Sequence, residues 1–442
     1  MVKQGVENDQ ASLRVCGRET YIPLATSFAE KAAVAQGLGK PEALALTLAA
    51  EEVFSYLCRV VPPEAGGIEI HSSGGGYYVR LDFVFPTAAL DMRMFNITAT
   101  LSLADDNDLD QMGLLLASRS VDRFQMEPAE GNRLRLTLIK EKTYPLCQGL
   151  PLPPVPAFAQ FSVRPPDTGE LKLFAELVHA TYCDQIIPAV FNTPGKLVDM
   201  VGSGEYQAAV AVSPAGAIGG GTFWHRRADK AVEWFGPYLF NQNPEAGMAV
   251  ALLDHCLAAI ARSSAVVLIN HFPTPEFPRA QFEFLGKLPN RKEDGTLCHL
   301  EAWARLLRED LGSVVWTHPQ LHGFLAREYA RLVLPREIRL ITDQGERHSP
   351  HSVLLSNFNR SLEFVALQPI WSGTDFDENL LHHKELFRKE HIQNVLFVMD
   401  LGQSWQAELV PGLLRHGFRA GIILPYAGVA DQLILHLEET SP

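Results

Sequence analysis

Apolar residues along the chain change their spacing repeatedly, and the changes mark alternating strands and helices. The densest series lies between Gln207 and Gly286. Gln207–Trp224 reads as a hairpin, and Ala231–Phe240 as a strand. A turn over Asn241–Gly247 leads into an apolar helix from Met248 to Arg262. The buried strand Ala265–Asn270 follows, and an amphipathic piece closes at Phe284-Leu-Gly286. Just upstream, Phe161–Pro165 predicts a short strand, Gly169–Tyr182 an amphipathic helix, and Gly195–Glu205 a second short helix.

The flanking regions carry the same kind of pattern. In the first, Pro41–Arg59 places Leu44, Leu48, Val53 and Leu57 at helical spacing behind a proline. Tyr77–Phe85 and Asn132–Lys140 alternate as strands, Phe95–Leu101 is a weaker strand, and Asp108–Val121 is a helix with an acidic first turn. In the last, a helix is expected over Cys298–Arg308, an extended piece over Ser313–Pro319 and a helix over Gln320–Leu332. Strands Ser352–Ser356 and Ser361–Leu367, a helix Phe376–Glu390, a strand Asn394–Asp400 and a helix Trp405–His416 follow, then closing strands Phe418–Pro425 and Asp431–Leu437. Leu150–Pro156 is a stiff proline-rich linker, and Lys287–Gly295 is polar and turn-rich. These breaks divide the chain into three α/β blocks, 1–148, 157–290 and 296–442. The last two end alike, each with a buried strand, an amphipathic helix and then Leu-Gly286 or His-Gly-Phe418.

Bulk properties narrow the class. A chain of 442 residues with 47% hydrophobic and 20% charged content is expected to be soluble, globular and multidomain. A net charge of −13 argues against non-specific nucleic-acid binding. The N-terminus is polar and acidic, unlike a signal peptide, and no apolar run reaches the length of a membrane span, so a cytoplasmic protein is expected. Six scattered cysteines show no metal or disulfide spacing and read as reduced thiols. His318, His382 and His383 do not match His-Glu-x-x-His geometry, so no metal site is expected.

The order of elements between 157 and 290 resembles the acyl-CoA-binding half of GNAT-type N-acetyltransferases. The resemblance implies acetyl-CoA or another acyl-CoA along the Glu233–Phe240 strand, near Leu239 and Asn241, with its pyrophosphate at Asn243–Ala249. In the family the pyrophosphate turn reads Arg/Gln-x-x-Gly-x-Gly/Ala. Laid on Gly247, Met248 and Ala249, its first position falls on Pro244, so backbone N–H groups are left to hold the anion. Glu233 and Tyr182 are the candidate catalytic pair, with His225 also plausible as a base and His271 more typical of a structural histidine. The acceptor would be an amine on a small molecule or a protein. The tail His-Gly-Phe418 to Leu437 also resembles the end of a GNAT fold, without a glycine-rich turn, which implies a second, non-catalytic GNAT-like domain.

The first block resembles the anti-sigma-factor branch of the GHKL, histidine-kinase-like ATPase fold, through Ala49–Leu57, Met112–Asp122 and the strand at Asn132. The resemblance places Glu52, Gly113 and Leu114 at nucleotide-binding positions. Tyr56 stands where the family has the magnesium-holding Asn, and Gln111 where the phosphate turn has its first glycine, so ATP is not expected as a cofactor. Two functions fit these residues. One is an acyl-CoA-dependent N-acyltransferase with a degenerate ATPase-like regulatory domain that could hold a protein partner. The other is a non-enzymatic regulator that keeps both folds only as protein-binding surfaces.

Overall fold

A computed structural model of the chain describes residues 10–62, 66–86, 96, 114, 116–131, 133–147, 152, 154–182, 187–292, 295–342, 349–359 and 364–438. They fall into two compact units, one of residues 1–144 with 349–355 and 373–375, the other of 145–348, 356–372 and 376–442.

In the first unit, β1 (Gln10–Val15), α1 (Ile22–Ala35), α2 (Lys40–Val60), β2 (Ile68–Gly74), β3 (Tyr78–Pro86), β4 (Arg123–Ala129) and β5 (Arg133–Glu141) succeed one another. Its five-stranded sheet is antiparallel, in the order β1-β2-β3-β5-β4. Ala25, Ala29, Ala32 and Ala33 of α1 and Ala43, Ala49 and Ala50 of α2 are buried, which lets the two helices approach closely. Leu46, Val53, Phe54 and Leu57 of α2 and Leu81, Phe83 and Phe85 of β3 are fully shielded from solvent. α2, β3 and β5 match their sequence patterns. α1, β1, β2 and β4 carry only weak periodicity in the sequence. Of the expected strand 95–101 only Asn96 is described, the start of the helix at 108 lies outside the described residues, and 116–120 is helical.

The second unit begins with β6 (Ser162–Arg164), α3 (Thr168–Thr181), α4 (Pro194–Gly202), β7 (Tyr206–Val212), β8 (Ile218–Ala228) and β9 (Ala231–Leu239). It continues with α5 (Met248–Ile260), β10 (Val267–Asn270), β11 (Glu283–Arg291) and β12 (Leu297–Leu306). The strands form one seven-stranded sheet in the order β6-β7-β8-β9-β10-β12-β11. β9 and β10 run parallel, joined by the α5 crossover, and their neighbours are antiparallel. Alternation along β7 sorts the two cores. Ala208, Val210 and Val212 face Phe174, Val178, Phe191 and Leu197 of the α3–α4 side. Ala209 and Ala211 share the other face with Met248, Leu252, Leu253 and Cys256 of α5.

Two sequence expectations are corrected here. Cys298–Arg308 is not a helix but largely strand β12, with Ala302 and Ala304 buried in alternation, paired to β11 over 297–304 and to β10 over 303–306. Short apolar runs fit either period, and the flanking strands decide the outcome. The polar break at 287–295 is not a gap between blocks either. β11 continues to Arg291, and the hairpin turn closes with Lys292 N–H donating to Thr296 O at 2.9 Å.

The same unit ends with β13 (Ser313–Thr317), α6 (Pro319–Leu332), β14 (Arg336–Leu340), β15 (Val353–Asn359), β16 (Phe364–Trp371), α7 (Phe376–Lys389), β17 (Asn394–Asp400), α8 (Ser404–Ala407), α9 (Val410–Arg415), β18 (Phe418–Leu424) and β19 (Gln432–Leu437). Only residues 356–359 of β15 belong to this unit. The expected helix Trp405–His416 is split into α8 and α9, with Pro411 in the first turn of α9. The last sheet has the order β15-β16-β17-β19-β18, with β16 parallel to β17 across the α7 crossover. Its connectivity from β15 to β19 repeats that from β8 to β12.

The triple glycine at 219–221 has a packing cause. A Cβ on Gly220 would lie 2.7 Å from both Tyr238 O and Leu239 Cδ2, and one on Gly221 would lie 2.6 Å from the Phe174 ring. Gly220→Ala is therefore expected to cost about 2 kcal/mol, the usual range for overpacking a core, read as a lower urea midpoint at unchanged slope.

Candidate active site at the fork between strands β9 and β10

The parallel pairing of β9 with β10 covers three residues, Ala231, Val232 and Glu233, opposite Val267, Leu268 and Ile269. β10 stops at Asn270 while β9 runs on to Leu239, so the two strands part just beyond Glu233. α5 starts after the far end of β9. Gly247 caps it with φ 77°, in the left-handed region that favours glycine, and a Cβ there would meet nothing within 4 Å. The first helical bond runs from Ala251 N–H to Gly247 O at 2.9 Å, which leaves the Met248 and Ala249 amides ahead of the ladder.

The side chains of this turn serve the fold. Asn243 Oδ1 accepts from Glu245 N–H at 3.0 Å, and Asn241 Nδ2 donates to Val155 O at 2.9 Å. Gln242, 9% exposed, is spent on Phe158 N–H, Pro156 O and Phe240 O at 3.1, 3.0 and 2.9 Å. Glu245 is the exposed charge of the turn. What sequence reading missed here is that the proline-rich segment 155–158 is an anchor for Asn241 and Gln242.

Glu233 is 6% exposed and sits where the strands divide. Arg227 Nη1 lies 2.9 Å from its Oε2, His225 Nε2 3.3 Å from the same oxygen, and His271 Nδ1 3.5 Å from Oε1. Arg227 also donates to Gln432 Oε1 at 3.2 Å. Burial would raise the carboxyl pKa, but the guanidinium and the two imidazoles outweigh it and hold Glu233 well below the usual carboxylate range. Burial drives His271 the other way, down to about 4, so it is neutral at pH 7 and Arg227 supplies the ionic hold. The Nε2 of His271 is buried without a partner.

Tyr182, 4% exposed, lies at the C-cap of α3. Its hydroxyl accepts from Leu239 N–H at 2.8 Å, and it stands 3.2 Å from Leu239 O and 3.0 Å from Glu276 Oε2. Burial raises its pKa beyond the ordinary tyrosine value. Beside it, Tyr238 is buried with an unpartnered hydroxyl, ring to ring at 5.3 Å. Tyr182 is thus tied to Leu239, six residues along β9 from Glu233, roughly 20 Å at strand rise. The two candidate catalytic groups stand at opposite ends of the fork, so the structure does not bring them together as one acid–base pair.

The remaining candidates fall elsewhere. In the first unit, Glu52 is half-buried on α2, Leu114 is buried, and Gly113 lies outside the described residues. Asp82 accepts from Thr137 Oγ1 at 2.6 Å and Arg80 Nε at 2.8 Å, within its own sheet. His318 caps α6 by accepting from Gln320 N–H at 3.2 Å, and the buried His383 pairs through Nδ1 with Asn379 O at 2.9 Å. Among the described residues no helix is long and apolar enough to cross a membrane.

No protein-family model and no curated protein matches the sequence. Solved structures of GNAT acetyltransferases are similar over about a third of the chain. A phosphinothricin acetyltransferase of Sinorhizobium meliloti in complex with acetyl-CoA is 18% identical, covering 33% of this chain and 88% of its own, with a TM-score of 0.28. An aminoglycoside 6'-N-acetyltransferase complexed with coenzyme A is 10% identical over 34% of this chain and 98% of its own, at 0.27. An N-acetyltransferase of Staphylococcus aureus is 15% identical over 34% and 99%, at 0.28.

The Glu233 cluster makes a pH-dependent prediction. Because its folded pKa is depressed, Glu233 adds stability above its unfolded pKa, near 4.3, that disappears as pH falls through the folded value. Arg227→Met leaves a buried carboxylate without its partner and should cost about 3 kcal/mol at pH 7. Without the Arg227 charge the carboxyl pKa rises, so the variant's deficit relative to the wild type should shrink between pH 7 and 5, while the buried neutral His271 lowers the stability of both proteins as pH falls below its unfolded value of about 6.5. Urea titrations across that range give the comparison.

Proposed function

We propose that this chain is an acyl-CoA-dependent N-acyltransferase of the GNAT type. The observation that carries the reading is the fork itself. Parallel pairing ends at Glu233, a strand edge runs on to Leu239, and a helix start with uncommitted amides follows. An acyl-pantetheine arm is an extended chain of amides, suited to a strand edge, and a pyrophosphate suits the amides of Gly247, Met248 and Ala249. Transfer forms the C–N bond of the amide and breaks the C–S bond of the thioester, so it needs the carbonyl positioned and one proton moved from the attacking amine to the departing CoA thiolate. Glu233, already ionised by Arg227, is a weak base by itself. His225, 3.3 Å from it, is the group whose imidazolium Glu233 would stabilise as the amine proton leaves.

The last sheet repeats the connectivity, yet α7 opens with Asp377 and Glu378, which repel an anion at its N-terminus. In this reading that half is a non-catalytic GNAT-like partner that lends Gln432 to the Arg227–Glu233 pair. The first unit would act as a degenerate ATPase-like regulator, in which the buried Tyr56 of α2 stands where the resemblance expects a metal-holding Asn.

A second reading, a non-enzymatic regulator, is favoured by one specific observation: protein side chains already meet the β9 edge and fix Glu233.

Isothermal calorimetry and thermal melts with acetyl-CoA, longer acyl-CoAs, ATP and ADP separate the two. Acyl-CoA at a hundred times its Kd should add about 2.7 kcal/mol of stability. Absence of any acyl-CoA binding at millimolar concentration sinks the transferase reading. Glu245→Gln should tighten coenzyme A roughly two- to fivefold by removing the exposed anion beside the phosphate turn, and should leave pantetheine binding unchanged.

A further inference from the structure

Beyond Glu233, four backbone groups of β9 are met by side chains instead of by a neighbouring strand. Asn270 Nδ2 donates to Gly236 O at 2.9 Å, and Thr274 Oγ1 to Pro237 O at 2.6 Å. Tyr182 Oη accepts from Leu239 N–H at 2.8 Å and lies 3.2 Å from Leu239 O. Glu276 holds that hydroxyl from the other side at 3.0 Å. Two of the four groups are thus met from residues 270–274, and Glu276 of the same segment holds the tyrosine that meets the other two. Asn270 and Thr274 are 0% and 3% exposed, so these bonds are shielded from water.

The segment that supplies them is built differently from a strand. Pro273, Pro275 and Pro278 have no N–H to donate, so its attachment to β9 is made through side chains. Its far end is fixed. Phe277, 4% exposed, packs with its ring centroid 4.7, 5.8 and 5.9 Å from those of Phe282, Trp303 and Trp234. Its near end is fixed by β10, where Asn270 Oδ1 also accepts from Phe272 N–H at 2.8 Å. Between these anchors the stretch meets β9 through His271 on Glu233, through Phe272 stacked on Phe235 at 5.8 Å and through the Thr274 hydroxyl, while the Glu276 carboxylate reaches Tyr182 at the end of α3.

The geometry points to the 271–276 segment as a built-in strap that occupies the place of an extended amide ligand along β9 and lifts to admit one. A strand edge left bare in this apolar setting would bury unpaired carbonyls, at a cost comparable to lost hydrogen bonds. The strap removes that cost when no ligand is present. Binding then becomes an exchange, in which a ligand amide takes Pro237 O from Thr274 as the strap lifts, beside the Asn270 and Tyr182 bonds that stay in place. The inference rests on the acyl-CoA reading only for the identity of the ligand, a pantetheine arm.

The test uses the full chain as wild type, Thr274→Val, Asn270→Ala/Thr274→Val and the conservative Thr274→Ser. Amide hydrogen exchange is followed over 236–240 and 271–277, and acetyl-CoA binding by calorimetry. The double variant should exchange at least about tenfold faster in those two segments, with β7 and the start of β8 unchanged, and Thr274→Ser should match the wild type. Equal rates in wild type and double variant, or a uniform rise across the sheet, overturn the strap. Thr274→Val should bind acetyl-CoA about tenfold more tightly than the wild type. Equal affinities in the two proteins also overturn it. Faster local exchange with no acetyl-CoA binding by any of the four upholds the strap and rejects acyl-CoA as its ligand.

Discussion

Strand β9 must satisfy its backbone on a side where its neighbour has left it, and much of this region follows from that constraint. Buried backbone groups are nearly always paired, because an orphan costs as much as a lost hydrogen bond. β10 pairs with three residues of β9 and then turns away. From there on Asn270, Thr274 and Tyr182 take over. The placing of Tyr182 at the end of α3, the proline-spaced course of 271–278 and the burial of Asn270 all answer the same need. A binding cleft and a closed surface differ here only in which molecule supplies the partners.

Charge is handled in the same way. Glu233 is tolerable at 6% exposure because Arg227, His225 and His271 surround it, and Arg227 is itself held by Gln432 from the last sheet. Further along that junction Arg336, with a side chain 0% exposed, bonds Asp431 through two nitrogens at 2.7 and 3.2 Å and Asp310 at 2.8 Å. Tyr426 lies under the Arg336 guanidinium at 4.6 Å and under Lys230 at 4.8 Å. Such buried ionic groups give little net stability, yet removing one partner exposes the whole desolvation cost. They fix β14, β19 and the 307–312 connection in one arrangement, which is a matter of specificity more than strength.

Local pattern revealed most of the second unit. Hairpin β7–β8, strand β9, helix α5 and strand β10 all announce themselves by periodicity, because each buries one face or both in a thick core. β12 did not, since Leu300, Ala302 and Ala304 fit a helix as well as a strand until β10 and β11 pair with them. The small apolar residues of α1 hid a helix whose buried side is alanine. At the site, sequence could mark Glu233, Tyr182 and Gly247 as unusual, but not their distances. That Tyr182 points at Leu239 and not toward Glu233 depends on how α3 crosses the sheet. No signal in the sequence tells a catalytic tyrosine from one that seals a strand edge. The signal for the strap was present, in Asn270, Thr274 and three alternating prolines, but it had no meaning without the fork.

The two sheets of the second unit provide an internal comparison. From β8 to β12 and from β15 to β19 the chain follows the same path, with one parallel pair and one helical crossover in each. Identical paths give identical backbone opportunities, so differences in ligand preference must come from side chains. At the crossover helices the contrast is electrostatic. α5 begins Gly247-Met-Ala without charge, whereas α7 begins with Asp377 and Glu378, which use its positive end for the fold itself. An anion approaching α7 would meet two carboxylates in its first turn, whereas the first turn of α5 has no acidic residue and the turn before it carries the exposed Glu245. The asymmetry makes the start of α5 electrostatically more open to an anion than the start of α7, and the contribution of the last sheet to this region is the hold of Gln432 on Arg227.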